Sequence, residues 1–584
     1  MVTASDHMGL IVSMDPVQAP NICRRKNWFR FEHMWVHEAG CEDAIREGWS
    51  VQVSGSPMYL VAQKIKNCRV SLLNWCKTQV HANSHLIAAK KGQLEQLENL
   101  PMDEYRSSEV NELRHEVNVL IEKEEIFWRQ RSWVSWLQKG ECNTKFYHAC
   151  ASQRKRGNQI NGLWDENNVL QTDQLVISNI AVEYFHQLFN SSRPDCIQEV
   201  VSQVDSVVTP DMNESLLHQF SGEEIRRALF QMSPSKAPKL DGMTALFFQK
   251  YWHIVGDNVS NAILDFFATG RMLGSINFTN IILIPKVKNP EVITQFHPIS
   301  LCNVLYKIVS KVLVNRMKSI LPRVISDSQS AFVPGRLITN NVIMAFEVLH
   351  YLKNLGVGNN FQMVAKLDMS KAYDRVEWSY LKAILLKLDF HRRWVELIMT
   401  CVSSTTYSVL VNGAPHGYIK PTRGLRQGDP LSPYLFLICA EGLSALLHKK
   451  ERENSIQGIA ICLGGPRISH LFFADDSVIF CRASIHDCGA LHNVLAIYER
   501  ASGQKINKAK TALFFSKNTP PSTRTSILTM FGTSSTSQFE KYLGLPPIMG
   551  RSKKRVFNEI KDKIWKMLQG WKEKLLSHWP RNSH

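Results

Sequence analysis

Acidic side chains are the scarcer charge in this chain, 52 Asp and Glu against 69 Lys and Arg, a formal +17 over 584 residues. That balance favours a polyanionic partner, because each phosphate neutralised by Lys or Arg releases a condensed counterion. Long apolar runs are missing as well. Residues 433–447 are interrupted by Glu441, no stretch reaches the ~18–20 residues that cross a bilayer, and no membrane partner is expected. The thirteen cysteines contain no C-x-x-C pair and no metal-ligand spacing. They read as reduced thiols of an intracellular protein, nucleus and cytoplasm not being distinguished, rather than as a disulfide framework. The first residues lack the basic and apolar segments of a secretory signal. What is present, 44% hydrophobic residues, is enough for several cores and excludes a disordered chain.

From Val110 the apolar positions Leu113, Val117, Leu120 and Phe127 recur at helical spacing and predict a long amphipathic helix running into Trp128. The stretch that follows interleaves rings (Trp128, Trp133, Trp136, Phe146, Tyr147) with Arg129, Arg131, Lys145, Arg154, Lys155 and Arg156. Rings for bases and cations for phosphates suit a single-stranded nucleic acid groove, so these six are candidate nucleic-acid contacts. The plainer reading is a helix whose rings face a core and whose bases face water. From about Gly222 short strands and helices alternate, with a buried strand at Asn280 to Pro285 and a helix at Leu301 to Ile320, a mixed α/β or α+β texture. Residues 516–538 read as a loop. In residues 551–584, ten Lys/Arg accompany three Asp/Glu, and Val556, Ile560, Ile564, Met567, Trp571 and Leu575 fall on one helix face.

Three segments carry the chemistry. In Val364-Ala-Lys-Leu-Asp368, a carboxylate ends an apolar strand; in His470-Leu-Phe-Phe-Ala-Asp475-Asp476-Ser-Val-Ile-Phe480, two acids stand between apolar runs, as in a hairpin turn. Like charges desolvated together raise each other's pKa, and a divalent cation removes the difficulty. Oxygen ligands with water and substrate phosphates suit Mg²⁺, and two such ions ~3.5–4 Å apart activate a 3′-hydroxyl and stabilise leaving pyrophosphate. In the third segment, residues 422–436, glycines and prolines shape a loop before an apolar helix, where Gln427 is placed to hydrogen-bond a sugar or base edge and Arg426 to meet phosphate.

In this order the three segments resemble motifs A, B and C of the reverse transcriptases of plant non-LTR (LINE-type) retrotransposons. Further matches are Lys236-Ala-Pro-Lys-Leu-Asp-Gly-Met243, Ile284-Pro-Lys286, Pro298-Ile-Ser-Leu301, Gln329-Ser-Ala-Phe-Val-Pro-Gly-Arg336, Gly503-Gln-Lys-Ile-Asn507-Lys-Ala-Lys510 and Tyr542-Leu-Gly-Leu-Pro546. The resemblance implies an α+β right-hand polymerase: residues 1–15 a remnant of an endonuclease C-terminus (Ser5-Asp6-His7), 16–215 a helical linker, 216–515 fingers and palm, 516–584 a partial thumb. It implies an RNA-directed DNA polymerase in which Asp368, Asp475 and Asp476 hold two Mg²⁺ ions, or Mn²⁺ in their place. Lys510 would protonate pyrophosphate, Tyr373 would exclude a 2′-hydroxyl, Gln427 and Arg426 would line the nucleotide pocket and Lys286 would reach the triphosphate. Its partners would be an RNA template, a DNA primer and dNTPs. Against the family pattern, Lys239-Leu240 stands where Gly-Pro is usual and His297 where Arg is usual. The alternative expectation is a decayed copy that binds nucleic acid without turnover.

Overall fold

The helical spacing of the N-terminal third is realised in helices Cys41–Ser50, Pro57–Gln79, Asn83–Glu98, Ser107–Ser132 and Thr144–Gly157. The computed structural model describes residues 29–79, 83–99, 107–132, 144–236, 241–356, 358–462, 464–533, 542–543, 558, 561–562 and 564–565. The Ser5-Asp6-His7 triplet, the Lys239-Leu240 pair and nearly all of the Val556 to Leu575 face lie outside them. The linker is held by burial. Phe31 has no exposed surface, meets Phe247 edge-on at 5.4 Å and donates its backbone N–H to the Gly242 carbonyl at 2.9 Å. Trp49 adds an indole bond to Asn258 at 2.8 Å. The exposed ion pairs Lys90–Glu116 and Arg114–Glu98 join the third and fourth of these helices but contribute little, because water screens them.

Ten strands follow in chain order. A short hairpin, β1 (Leu163–Trp164) and β2 (Leu170–Gln171), precedes β3 (Phe278–Pro285), β4 (Phe296–Leu301), β5 (Gln362–Leu367), β6 (Thr406–Val411), β7 (Ala414–Ile419), β8 (His470–Phe473), β9 (Asp476–Arg482) and β10 (Ala512–Phe515). One sheet has the order β4-β3-β6-β7, with β3 and β6 parallel and the other pairs antiparallel. The second, β10-β5-β9-β8, is antiparallel throughout. With its helices this is the expected α+β class, a polymerase fingers-and-palm arrangement.

The second sheet is buried on both faces, which is why its strands read as continuous apolar runs. Met363, Ala365, Leu367, Ile479 and Cys481 face a core built with helices Trp378–Lys387, Ser432–Arg452 and Ile485–Ser502. Val364, Val478 and Phe480 alternate with them and pack against Val348, Leu349 and Leu352 of helix Ile338–Asn354. Gly442 is where two of the backing helices approach closest: a Cβ there would fall on the Tyr380 hydroxyl, which donates to the Cys439 carbonyl at 3.0 Å. Phe31→Ala is expected to remove the linker's anchor at a cost of ~3–5 kcal/mol, the range for a fully buried ring. An unchanged urea midpoint in that variant would show that Phe31 does not hold the linker.

Candidate active site

Backbone register brings the acids together. Leu367 on β5 pairs with Ser477 on β9, so Asp368, the next residue, comes alongside Asp476. Phe473 pairs with Asp476 across the β8–β9 hairpin, which leaves Ala474 and Asp475 as a two-residue turn. Ala474 takes the positive φ (53°) that such a turn asks of its first central residue, usually a glycine. The strain is held by a neighbour. The buried Gln329 accepts from the Ala474 and Ala331 N–H groups, each at 3.0 Å, through one side-chain oxygen. The Phe472 carbonyl accepts from Ser330 N–H (3.1 Å) and from the Asn341 amide (2.8 Å). The turn is therefore clamped from outside the sheet as well as within it.

Burial, and then the charges of Asp476 and Asp368, push the Asp475 carboxyl above the usual carboxylate range. Burial does the same for Asp476, with Lys366 opposing and Asp368 adding to the rise. Lys510 Nζ stands 3.4 Å from Asp368 Oδ2, its side chain largely in solvent. Among the described residues no three His, Cys, Asp or Glu side chains close into a metal cage. What the sheet end offers is an open set of carboxylate oxygens in which negative charge is under-compensated. That donor set fits a hard divalent cation that keeps its waters and shares phosphate oxygens, and Asp368, Asp475 and Asp476 are the residues that would hold it.

Asp368 and Asp475 open into a cavity of about 850 Å³ that Tyr373, Gln427, Lys286 and Lys510 also line. Asp476 is not among the lining residues. The Tyr373 ring stacks on Phe436 at 4.8 Å, and its backbone carbonyl accepts from Leu425 N–H at 2.7 Å, so the ring is a fixed wall. Gln427 donates its amide nitrogen to both oxygens of Asp374 at 3.2 and 3.1 Å. Its amide oxygen is buried without a partner among the described residues. When ionised, Asp374 only accepts, and in that form it leaves the oxygen of the Gln427 amide as the free acceptor. Burial, partly offset by Lys371 and the Gln427 bond, raises the Asp374 carboxyl to about 7.

Residues 284–546 match the family described as "Reverse transcriptase (RNA-dependent DNA polymerase)". The matched segment is a little under half of the chain. It is 29% identical over 384 residues to the Transposon TX1 uncharacterized 149 kDa protein of Xenopus laevis, covering 65% of this chain and 29% of that protein. It is 25% identical over 316 residues to the Retrovirus-related Pol polyprotein from type-2 retrotransposable element R2DM of Drosophila melanogaster, 53% of this chain and 27% of that protein. A 68-residue stretch is 53% identical to an uncharacterized mitochondrial protein of Arabidopsis thaliana, 12% of this chain and 56% of that protein. The chain thus spans less than a third of the length of the two retroelement relatives.

Two expectations are corrected. Arg426 lines the cavity, as expected, but its guanidinium is turned to protein acceptors rather than left for phosphate: it is buried, pairs with Asp429 at 3.1 Å, donates to the Cys401 carbonyl at 3.0 Å and to Asn277, and lies over the Tyr306 ring at 3.8 Å. A guanidinium so desolvated is held by protein acceptors, and it ties the loop to the fingers sheet. The second correction concerns residues 128–156. Phe146 and Tyr147 are buried, and the Trp128 ring meets His148 edge-on at 4.2 Å. Arg131 pairs with Glu32 at 2.7 Å and covers the Phe127 ring, while Arg154 donates to the Ser132 carbonyl at 2.8 Å. Arg129 also has an interaction partner within the chain. The plainer reading holds for the described part, with rings inward and Lys145, Lys155 and Arg156 at the surface. Trp133 and Trp136 lie outside the described residues.

Lys286 keeps its place at the cavity, donating to the Thr294 carbonyl at 3.3 Å. His297, opposite Ile284 in the β3–β4 ladder, is held below its ordinary value by burial and by Lys286 and Lys371, and so is neutral at pH 7. The sequence reading missed Gln329, Asn341, Asp374 and Lys371. Lys371 Nζ is enclosed in this cavity with no hydrogen-bond partner among the described residues. For Gln329 the signal was present, since it opens a quoted motif, and Lys371 and Asp374 follow Asp368 by three and six positions. A carboxyl raised in the fold binds protons that the unfolded chain has released, so it loses stability as pH rises from ~4 to ~7. Asp374→Asn should remove that loss, on the order of a few kcal/mol. Parallel urea curves for wild type and variant across that pH range would show Asp374 to be neither buried nor perturbed.

Proposed function

We propose that this chain is an RNA-directed DNA polymerase of retrotransposon origin, extending a DNA primer on an RNA template from dNTPs by two-metal nucleotidyl transfer. The observation that carries the reading is that Asp368 and Asp475, 107 positions apart in sequence, open into one cavity beside Tyr373 and Gln427. Mg²⁺, or Mn²⁺ in its place, held by Asp368, Asp475 and Asp476, would supply activation of the 3′-hydroxyl and neutralisation of the leaving pyrophosphate. The chain's own side chains do the rest. Tyr373, immobilised on Phe436, forms the wall that a ribonucleotide's 2′-hydroxyl would strike. Gln427, its amide nitrogen held by Asp374, stands in the cavity wall beside the place of the incoming nucleotide. Lys286 and Lys371 face the triphosphate as cations, and Lys510 stands where a proton is needed by departing pyrophosphate.

The domain division that goes with this reading keeps 16–215 as linker and 216–515 as fingers with palm. The stretch similar to an Arabidopsis protein supports a plant source, and the eleven described cysteines, all unpaired, fit a reducing compartment. One observation favours the second reading, a remnant that binds without turnover: His297 is neutral where a guanidinium would hold phosphate permanently.

Primer extension on an RNA template decides between them. With Mg²⁺ or Mn²⁺ the purified chain should extend the primer, and Asp368→Asn or Asp475→Asn should lower the rate by about 10³-fold, the several kcal/mol that such ions supply. No extension under either ion, with salt-sensitive RNA binding retained in both variants, selects the remnant.

A further inference from the structure

The fingers sheet has two ends. β3 finishes at Pro285, beside Lys286 and the nucleotide cavity, and begins at Phe278, roughly 23 Å away at strand rise. There a second cavity of about 510 Å³ opens between the sheet and linker helix Pro57–Gln79. Its sheet side carries Phe278 and Tyr418 with near-parallel rings, 14° apart in plane and 6.4 Å between centroids, and Tyr418 is 70% exposed. Its helix side carries Lys66 and Arg69, one turn apart and therefore on one face. Neither makes an ion pair or hydrogen bond among the described residues. The acid in the lining, Asp241, is already engaged, accepting from the Asn303 amide at 2.7 Å and from Met243 N–H at 3.0 Å. A Cβ built on Gly274 at the rim would meet nothing beyond its own turn within 4 Å among the described residues.

An exposed ring pair facing two unpartnered cations across a gap is the chemistry of an unpaired nucleotide: a flat π-face at one side, an anion at the other. A duplex is excluded by the same chemistry, because its bases are stacked on one another and leave no face for Tyr418. We infer that this cavity is a second polynucleotide site, which holds one nucleotide of a single strand with its base against Tyr418 and its phosphate between Lys66 and Arg69. The site stands on the cavity alone; only the identification of the strand as template ahead of copying rests on the polymerase reading.

The test uses the full chain in an Asp475→Asn background, so that loss of synthesis has no bearing on the result. Fluorescein-labelled 20-nucleotide oligouridine RNA, the matching oligothymidine DNA and a blunt DNA duplex are titrated by anisotropy over a range of KCl. Tyr418→Ala should weaken binding of both single strands by about tenfold, while Tyr418→Phe, which keeps the π-face, restores it. The Lys66→Ala/Arg69→Ala variant should lower the slope of log affinity on log salt by about 0.7, one phosphate's worth for a single strand. RNA carrying 4-thiouridine should cross-link to the peptide containing Tyr418. Unchanged affinity and slope with cross-links mapping elsewhere, or an equal loss for the duplex, would overturn the site.

Discussion

Carboxylates at the end of a buried sheet repel each other, and most of this architecture exists to keep them there. The β5–β9 register sets Asp368 beside Asp476, and the hairpin turn adds Asp475. Left to itself such a cluster would splay or protonate, since burial already lifts both hairpin acids above the carboxylate range. Two cores oppose this by fixing the strands from opposite faces, one through Met363 and Ala365, the other through Val364 and Val478. Gln329 and Asn341 then fix the turn by hydrogen bonds, beside the packing of Phe473 and Ala474 against the core. A turn residue with positive φ and no glycine persists only under such over-determination.

The cations near the site divide by type. Arg426 and Arg423 make their bonds inside the protein: to Asp429 and Cys401, and to Glu377 and the Leu188 carbonyl. The lysines at 286, 371 and 510 are left facing the cavity. Physical chemistry explains the division, because a planar fork satisfies several fixed acceptors at once, whereas a flexible ammonium suits a ligand that comes and goes. Arg375 departs from the pattern, lining the cavity with its Nε buried and unpartnered.

That division marks what sequence reading could and could not reach. Asp368 at a strand end, the Asp475-Asp476 hairpin and the apolar helix behind Gln427 were legible, since periodicity and turn chemistry act locally and carry over into the fold. The direction of Arg426 was not. A Gly- and Pro-shaped loop predicts a turn but leaves open the side on which each side chain falls, and the buried acceptors that capture this guanidinium come from Asn277, Cys401 and Asp429. The same holds for residues 128–156. Interleaved rings and bases on a helix look alike whether the rings face solvent or a core, and only Phe146 and Tyr147 in their tertiary setting decide it. Asp374 escaped notice because its significance lies in a pairing with Gln427, 53 positions away.

Arg426 has a further consequence. The fingers sheet is built around its own core of Ile281, Leu283, Phe296, Tyr407 and Val409, separate from the core that backs the acids. That sheet carries Lys286 and His297 at one end and Phe278 and Tyr418 at the other. What couples it to the loop of Gln427 is polar. Arg426 reaches Asn277 at the foot of β3 and Asp429 in the loop, and Ser300 of β4 donates its N–H to the Gln427 carbonyl at 2.8 Å. Truncating a buried guanidinium leaves Asp429 uncompensated at ~3–5 kcal/mol, so the tether is far stiffer than surface pairs of the same charge. The residue that sequence reading assigned to phosphate therefore serves the nucleotide indirectly, by fixing the distance between the cations of one sheet and the acids of the other.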